Sequence, residues 1–155
     1  MKLLLLAVGE RMPRWVDSAF DEYAKRMPPE CKLVLRPVAA ARRHKGGHSE
    51  RIQQVEAQRL TAALPKGAMS VALEVTGRPW NSEQLASQLQ QWLQGGRDVA
   101  LLIGGADGLA PALSQSADLR WSLSPLTLPH PLVRIVVAEQ LYRAWSMLCG
   151  HPYHK

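Results

Sequence analysis

Cysteine is scarce in this chain. There are two, Cys31 and Cys149, with no CxxC pair and no metal-ligand spacing, so they read as free thiols in a reducing compartment and predict no metal. Long hydrophobic runs are missing too. The apolar stretch Leu3–Val8 falls far short of the roughly 20 residues a membrane-spanning helix needs, and no small-residue cleavage site follows it. It is expected to be a strand, and the protein to be soluble and cytoplasmic. No repeat, linker or low-complexity stretch interrupts the sequence.

What is present is an ordinary globular balance. The chain has 155 residues, 46% hydrophobic and 21% charged, which excludes a largely disordered protein. That length fits one domain, 1–155, since domains commonly run to about 100–150 residues. The formal charge of +6 is unevenly placed. Residues 25–66 hold ten basic and three acidic side chains, whereas 1–24 is slightly acidic and 67–155 is neutral. The densest part is Arg36, Arg42, Arg43, His44, Lys45 and Arg51, interrupted by Gly46 and Gly47. A basic patch beside a neutral body suggests a docked polyanion such as nucleic acid. A solvated loop kept soluble by its charge is the plain alternative.

Apolar periodicity alternates between strand and helix. Strands are predicted at Lys2–Val8, Cys31–Val38, Met69–Val75, Asp98–Ile103 and Leu119–Leu123. Helices are predicted at Pro13–Met27, Ser49–Ala63 with Ser49 as N-cap, Ser82–Leu93, Pro111–Ala117 and Pro131–Leu148. In the second of these helices Ile52, Val55, Arg59 and Leu60 should face inward or snorkel. Gly77–Asn81 reads as a turn. The alternation predicts an α/β fold, a mostly parallel sheet covered by helices on both faces. The last helix has no polar face over Leu132–Ala138, so it needs cover on more than one side. A second copy of the chain would supply that cover, as would a central position in the monomer.

Two segments suit ligand binding. Gly104-Gly105-Ala106-Asp107-Gly108-Leu109 follows a buried strand, where glycines expose backbone N–H groups at the carboxyl edge of a sheet. It is neither a P-loop nor a GxGxxG turn. A tight turn needing positive φ would explain two of its glycines. Leu123 through Pro131 is apolar yet broken by three prolines, so its backbone polar groups need partners, supplied by a ligand or by a buried connection. The C-terminus places Glu139, Tyr142 and Arg143 on the last helix, then ends His151-Pro152-Tyr153-His154-Lys155. Glu139 and Arg143 at i,i+4 are, at their plainest, a surface ion pair. The two histidines are too few for a metal site.

Taken in order, these motifs resemble one family. They are the Met1–Gly9 strand with Met12–Trp15, Gly77-Arg78-Pro79-Trp80, Gly95-Gly96-Arg97-Asp98, Leu102-Ile103-Gly104-Gly105 through Gly108-Leu109, Trp121-Ser122-Leu123-Ser124 through Leu132-Val133-Arg134, Glu139 through Trp145, and His151-Pro152-Tyr153-His154. The chain resembles the RlmH-type SPOUT methyltransferases, bacterial enzymes that methylate N3 of a pseudouridine in 23S ribosomal RNA. That resemblance implies a C-terminal trefoil knot, which general topology rules disfavour. It also implies a homodimer, S-adenosylmethionine (SAM) as cofactor, and 23S rRNA in the large subunit or joined ribosome as partner. Carried over, cofactor contacts fall on Leu73, Gly104, Leu123, Ser124, Pro125, Leu126, Thr127 and Leu128. Catalytic candidates are His154 or Glu139 as base, with Arg143, Tyr142 and Lys155 holding phosphate or the uracil anion. Lys155 stands where many relatives are expected to carry arginine, replacing a planar fork by a point charge. The implied geometry has one subunit's tail completing the other's pocket. The competing expectation is a basic ribosome-associated protein that keeps the fold without the activity.

Overall fold

The computed structural model describes residues 1–43 and 47–155, so His44 and Lys45 of the expected basic patch lie outside the described residues. The strands are β1 (Lys2–Val8), β2 (Lys32–Val38), β3 (Met69–Pro79), β4 (Val99–Ile103) and β5 (Leu119–Ser122). The helices are α1 (Arg14–Ala24), α2 (Ser49–Ala63), α3 (Ser82–Gly95), α4 (Pro111–Ser116) and α5 (His130–Cys149). The strands form one sheet in the order β2-β1-β4-β3-β5, and every pairing is parallel.

Alternation along β1 explains the layers. Leu3, Leu5 and Ala7 join a core with Phe20 of α1, Leu89 of α3 and Val137 and Leu141 of α5. Leu4, Leu6 and Val8 join a smaller core with Leu60 of α2, flanked by Leu113 of α4. Three helices therefore cover one face and two the other. Every side chain from Leu3 to Val8 is buried. Each leucine so buried contributes about 1.5–3 kcal/mol, which makes a continuous apolar run the stable sequence for an inner parallel strand.

Local departures from expectation have physical causes. The segment Gly77–Asn81 is not simply a turn, because β3 continues through Pro79. Its pairing with β5 slips between Leu73 and Arg78. A Cβ on Gly77 would lie 2.7 Å from the Trp121 backbone, so the glycine marks close strand approach around a bulge. Trp80 then stacks on Trp121 with ring centroids 5.5 Å apart. α1 stops at Ala24, short of Met27. Ser49 is the first residue of α2 and not its cap; His48 holds that position without a side-chain capping bond. On α2 Glu56 is buried, whereas Arg59 is exposed and donates to the carbonyls of Ala39 and Ala40, both at 2.9 Å. α3 carries a reciprocal capping box between Asn81 and Gln84 and ends on left-handed Gly96.

Candidate active site

The carboxyl ends of β3, β4 and β5 surround a cavity of about 580 Å³, within the size range of small-molecule sites. Its walls are Leu73, Glu74 and Val75 from β3, Ile103 ending β4 with Gly104 through Ala106, Gly108 and Leu109 beyond it, and Leu123, Leu126–His130 and Val133 after β5. Both segments singled out by sequence thus meet at one place. Leu73, Gly104, Leu123, Leu126, Thr127 and Leu128 line the cavity; Ser124 and Pro125 lie in the same segment without lining it.

The glycine loop closes on itself. Gly108 N–H donates to the Gly105 carbonyl at 3.0 Å, and Gly108 has φ +77°, which favours glycine. A Cβ on Gly104 would lie 2.5 Å from the Gly108 carbonyl carbon. Gly104 is therefore required first by the loop's own backbone. In the proline-broken segment Ser124 organises the chain. Its Oγ accepts from Leu126 N–H at 3.0 Å, and its carbonyl accepts from Ser122 Oγ at 3.0 Å. That turn leaves Leu126 71% exposed at the rim.

Sequence reasoning missed three polar groups here. Glu74 is the one acid within Met69–Val75, and it lines the cavity. Its carboxylate accepts from Arg120 and from Ser114 Oγ. A lone acid ending an apolar strand was the available signal. His130 opens α5 and lines the cavity; its Nδ1 is buried without a partner among the described residues. Burial, then the charge of Arg134, lowers its pKa and favours neutral imidazole. Arg134 is 1% exposed and donates to the carbonyls of Val8 at 3.1 Å and Gly9 at 2.6 Å. It fastens the start of α5 to the end of β1.

The tail candidates gather elsewhere on α5. Glu139 Oε1 accepts from Tyr153 hydroxyl at 2.9 Å and from Arg143 Nε and a terminal nitrogen at 3.0 and 2.7 Å. Its other oxygen accepts from Gln140. Tyr153 packs 4.6 Å from the buried Tyr142 ring, centroid to centroid, and Arg143 lies over Tyr153 at 5.2 Å. Burial and then the Glu139 bond raise the Tyr153 pKa well above the ordinary phenol value. His154 is half-buried, its Nδ1 without a partner among the described residues, and Lys155 is exposed. Within one chain this cluster does not reach the cavity. Val133 lines the cavity, and Glu139 sits six positions further along the helix, about 9 Å at 1.5 Å per residue.

A family model described as "Predicted SPOUT methyltransferase" matches residues 1–154. The chain belongs to the SPOUT methyltransferase family. It is 55% identical over its full length to "Ribosomal RNA large subunit methyltransferase H" of Burkholderia multivorans, covering 99% of that protein. It is 52% identical, with the same coverage, to the protein of that name from Thioalkalivibrio sulfidiphilus. A crystal structure from Neisseria gonorrhoeae, described as a methylase family protein, shares the fold with TM-score 0.54 and 16% identity, over 97% of this chain and 93% of that one. As a SPOUT methyltransferase the protein works with a methyl donor, and the apolar cavity edged by glycine and proline-broken backbone is where its residues suit one. No helix among the described residues is long and apolar enough to cross a membrane, and they contain no cluster of metal-ligating side chains.

Proposed function

We propose that this protein transfers a methyl group from SAM to N3 of a pseudouridine in 23S rRNA, in the large subunit or joined ribosome, as a homodimer in the cytoplasm. The knotted C-terminal half implied by the family belongs to the same proposal. One observation carries the reading: the glycine loop and the Leu123–Leu128 segment form two walls of a single cavity, in a chain whose full-length relatives are named as rRNA methyltransferases.

The donor's residues fit in chemical terms. Leu73, Leu123 and Leu128 offer apolar walls, and the backbone of Gly104–Ala106 and Leu126–Leu128 offers donors and acceptors. When bound, SAM supplies an electrophilic methyl on a sulfonium. The protein's part is to align donor and nucleophile, worth roughly 7–11 kcal/mol of a barrier, and to take or compensate the imide proton. Glu139 is already committed to donors on three side chains, so it positions Arg143 and Tyr153. His154 Nδ1 has no partner among the described residues, which leaves it as the base candidate of the tail. Arg143, Tyr142 and Lys155 then serve the anion and the phosphate.

Dimerisation brings the two halves of the site together. Leu132 is 39% exposed, and Ile135 and Val136, three and four positions on, are only half-buried. This apolar stripe beside the cavity is the surface for a second chain, whose tail then completes the pocket. Calorimetry tests the enzyme reading against the inactive binding protein. One SAM site per chain is expected; no SAM binding by a folded dimer would favour the binding protein.

A further inference from the structure

Three tethers run from α2 to two separate loops. Arg59 holds the carbonyls of Ala39 and Ala40 at 2.9 Å. Glu56, 4% exposed, accepts from Ala41 N–H at 3.0 Å, and its other oxygen lies beneath Gly105 without a partner among the described residues. Gln53 donates to the Asp107 carbonyl at 2.6 Å. The chain before α2 and the glycine loop are thereby held side by side. Across the gap Arg43 pairs with the Asp107 carboxylate, the arginine exposed and the aspartate largely covered. Arg42 and Arg51 are exposed on the same stretch.

We infer that this edge is the docking face for the RNA phosphate backbone, and that Asp107 holds Arg43 in the place a phosphate takes. The inference rests on the rRNA reading above. The tethers fix the backbone of residues 39–41, so the following guanidinium groups are presented with less conformational freedom left to lose. A guanidinium fork pairs with carboxylate and phosphate in the same planar geometry, so Asp107 is a fitting internal substitute. Docking exchanges one ion pair for another. The intramolecular partner keeps Arg43 oriented in the free protein and taxes every polyanion that lacks the shape to displace it. The exchange also touches the loop that lines the donor cavity.

The test uses the whole chain with isolated large ribosomal subunits and with joined ribosomes, binding being measured at several salt concentrations. Arg43→Gln should weaken binding and lower the slope of log K against log salt by up to about 0.9. Asp107→Asn, which keeps the side chain's shape, should tighten binding about two- to fivefold, the scale of an exposed ion pair. Asp107→Ser should do the same. The double variant Arg43→Gln with Asp107→Asn should match Arg43→Gln alone, because Asp107 acts only through Arg43. Binding unchanged or weakened in both Asp107 variants would overturn the inference, as would a gain that persists in the double variant. If the unaltered protein binds neither large subunits nor joined ribosomes, the rRNA reading falls and this inference with it.

Discussion

At the residue scale the decisive group is Glu139, whose single oxygen Oε1 receives both Arg143 and Tyr153. Hydrogen bonds to an ionised group contribute about 1.5–3 kcal/mol, enough to keep a C-terminal tail from fraying. Glu139→Gln keeps the shape and removes the charge. The Tyr153 phenol should then titrate closer to its ordinary value, because the Glu139 bond is one cause of its elevation. Ultraviolet difference titration against Tyr153→Phe checks this, and an unmoved phenol titration would detach Tyr153 from Glu139. His130 makes a second prediction. Its folded pKa is lowered, so above the ordinary histidine value of about 6.5 both folded and unfolded states are neutral and stability is full. As pH falls from there toward the folded value, the unfolded chain gains a proton first and stability drops. The thermal midpoint should fall between pH 7.5 and 5.5, and His130→Gln should show a smaller fall.

At the element scale most of the architecture was legible. Continuous apolar runs announce buried parallel strands, and their alternation with helical spacing announces the helices that cover both faces. What escaped was decided by neighbours distant in sequence. Gly77 looks like a turn residue until β5 is seen 2.7 Å from its absent Cβ. Glu56 looks like a solvent position until Ala41 donates to it. Of the candidate site, both loops were visible because glycine and proline mark backbone that cannot be regular. His130 and Glu74 were hidden because their roles come from strand ends meeting. The glycines yield a third prediction. Gly77→Ala forces its methyl group onto backbone that cannot rotate away, at a cost of about 1–3 kcal/mol, read as a lower urea midpoint with unchanged slope. A stability equal to the parent's would mean that the bulge relaxes freely. Gly104→Val should abolish SAM binding by the same route, through the Gly108 carbonyl. Unchanged SAM affinity in that variant would remove the loop from the site.

In the whole molecule of the proposed dimer, two copies meet over α5. Ile135→Glu with Val136→Glu should yield monomers by sedimentation and lose methyl transfer, because cavity and tail sit apart within one chain. Deleting Tyr153, His154 and Lys155 should lower activity at least roughly a hundredfold, the low end for losing an acid–base or anion-stabilising group, while SAM still binds. It should also cost some stability, since Tyr153 packs on Tyr142. Methyl transfer from labelled SAM to free 23S rRNA, isolated large subunits and joined ribosomes, with the modified nucleotide located by mass spectrometry, tests the proposed reaction most directly. Label is expected on N3 of one pseudouridine, in the large subunit or the joined ribosome. Label on another atom, or none on any of the three substrates by a protein that binds SAM, would contradict that reaction.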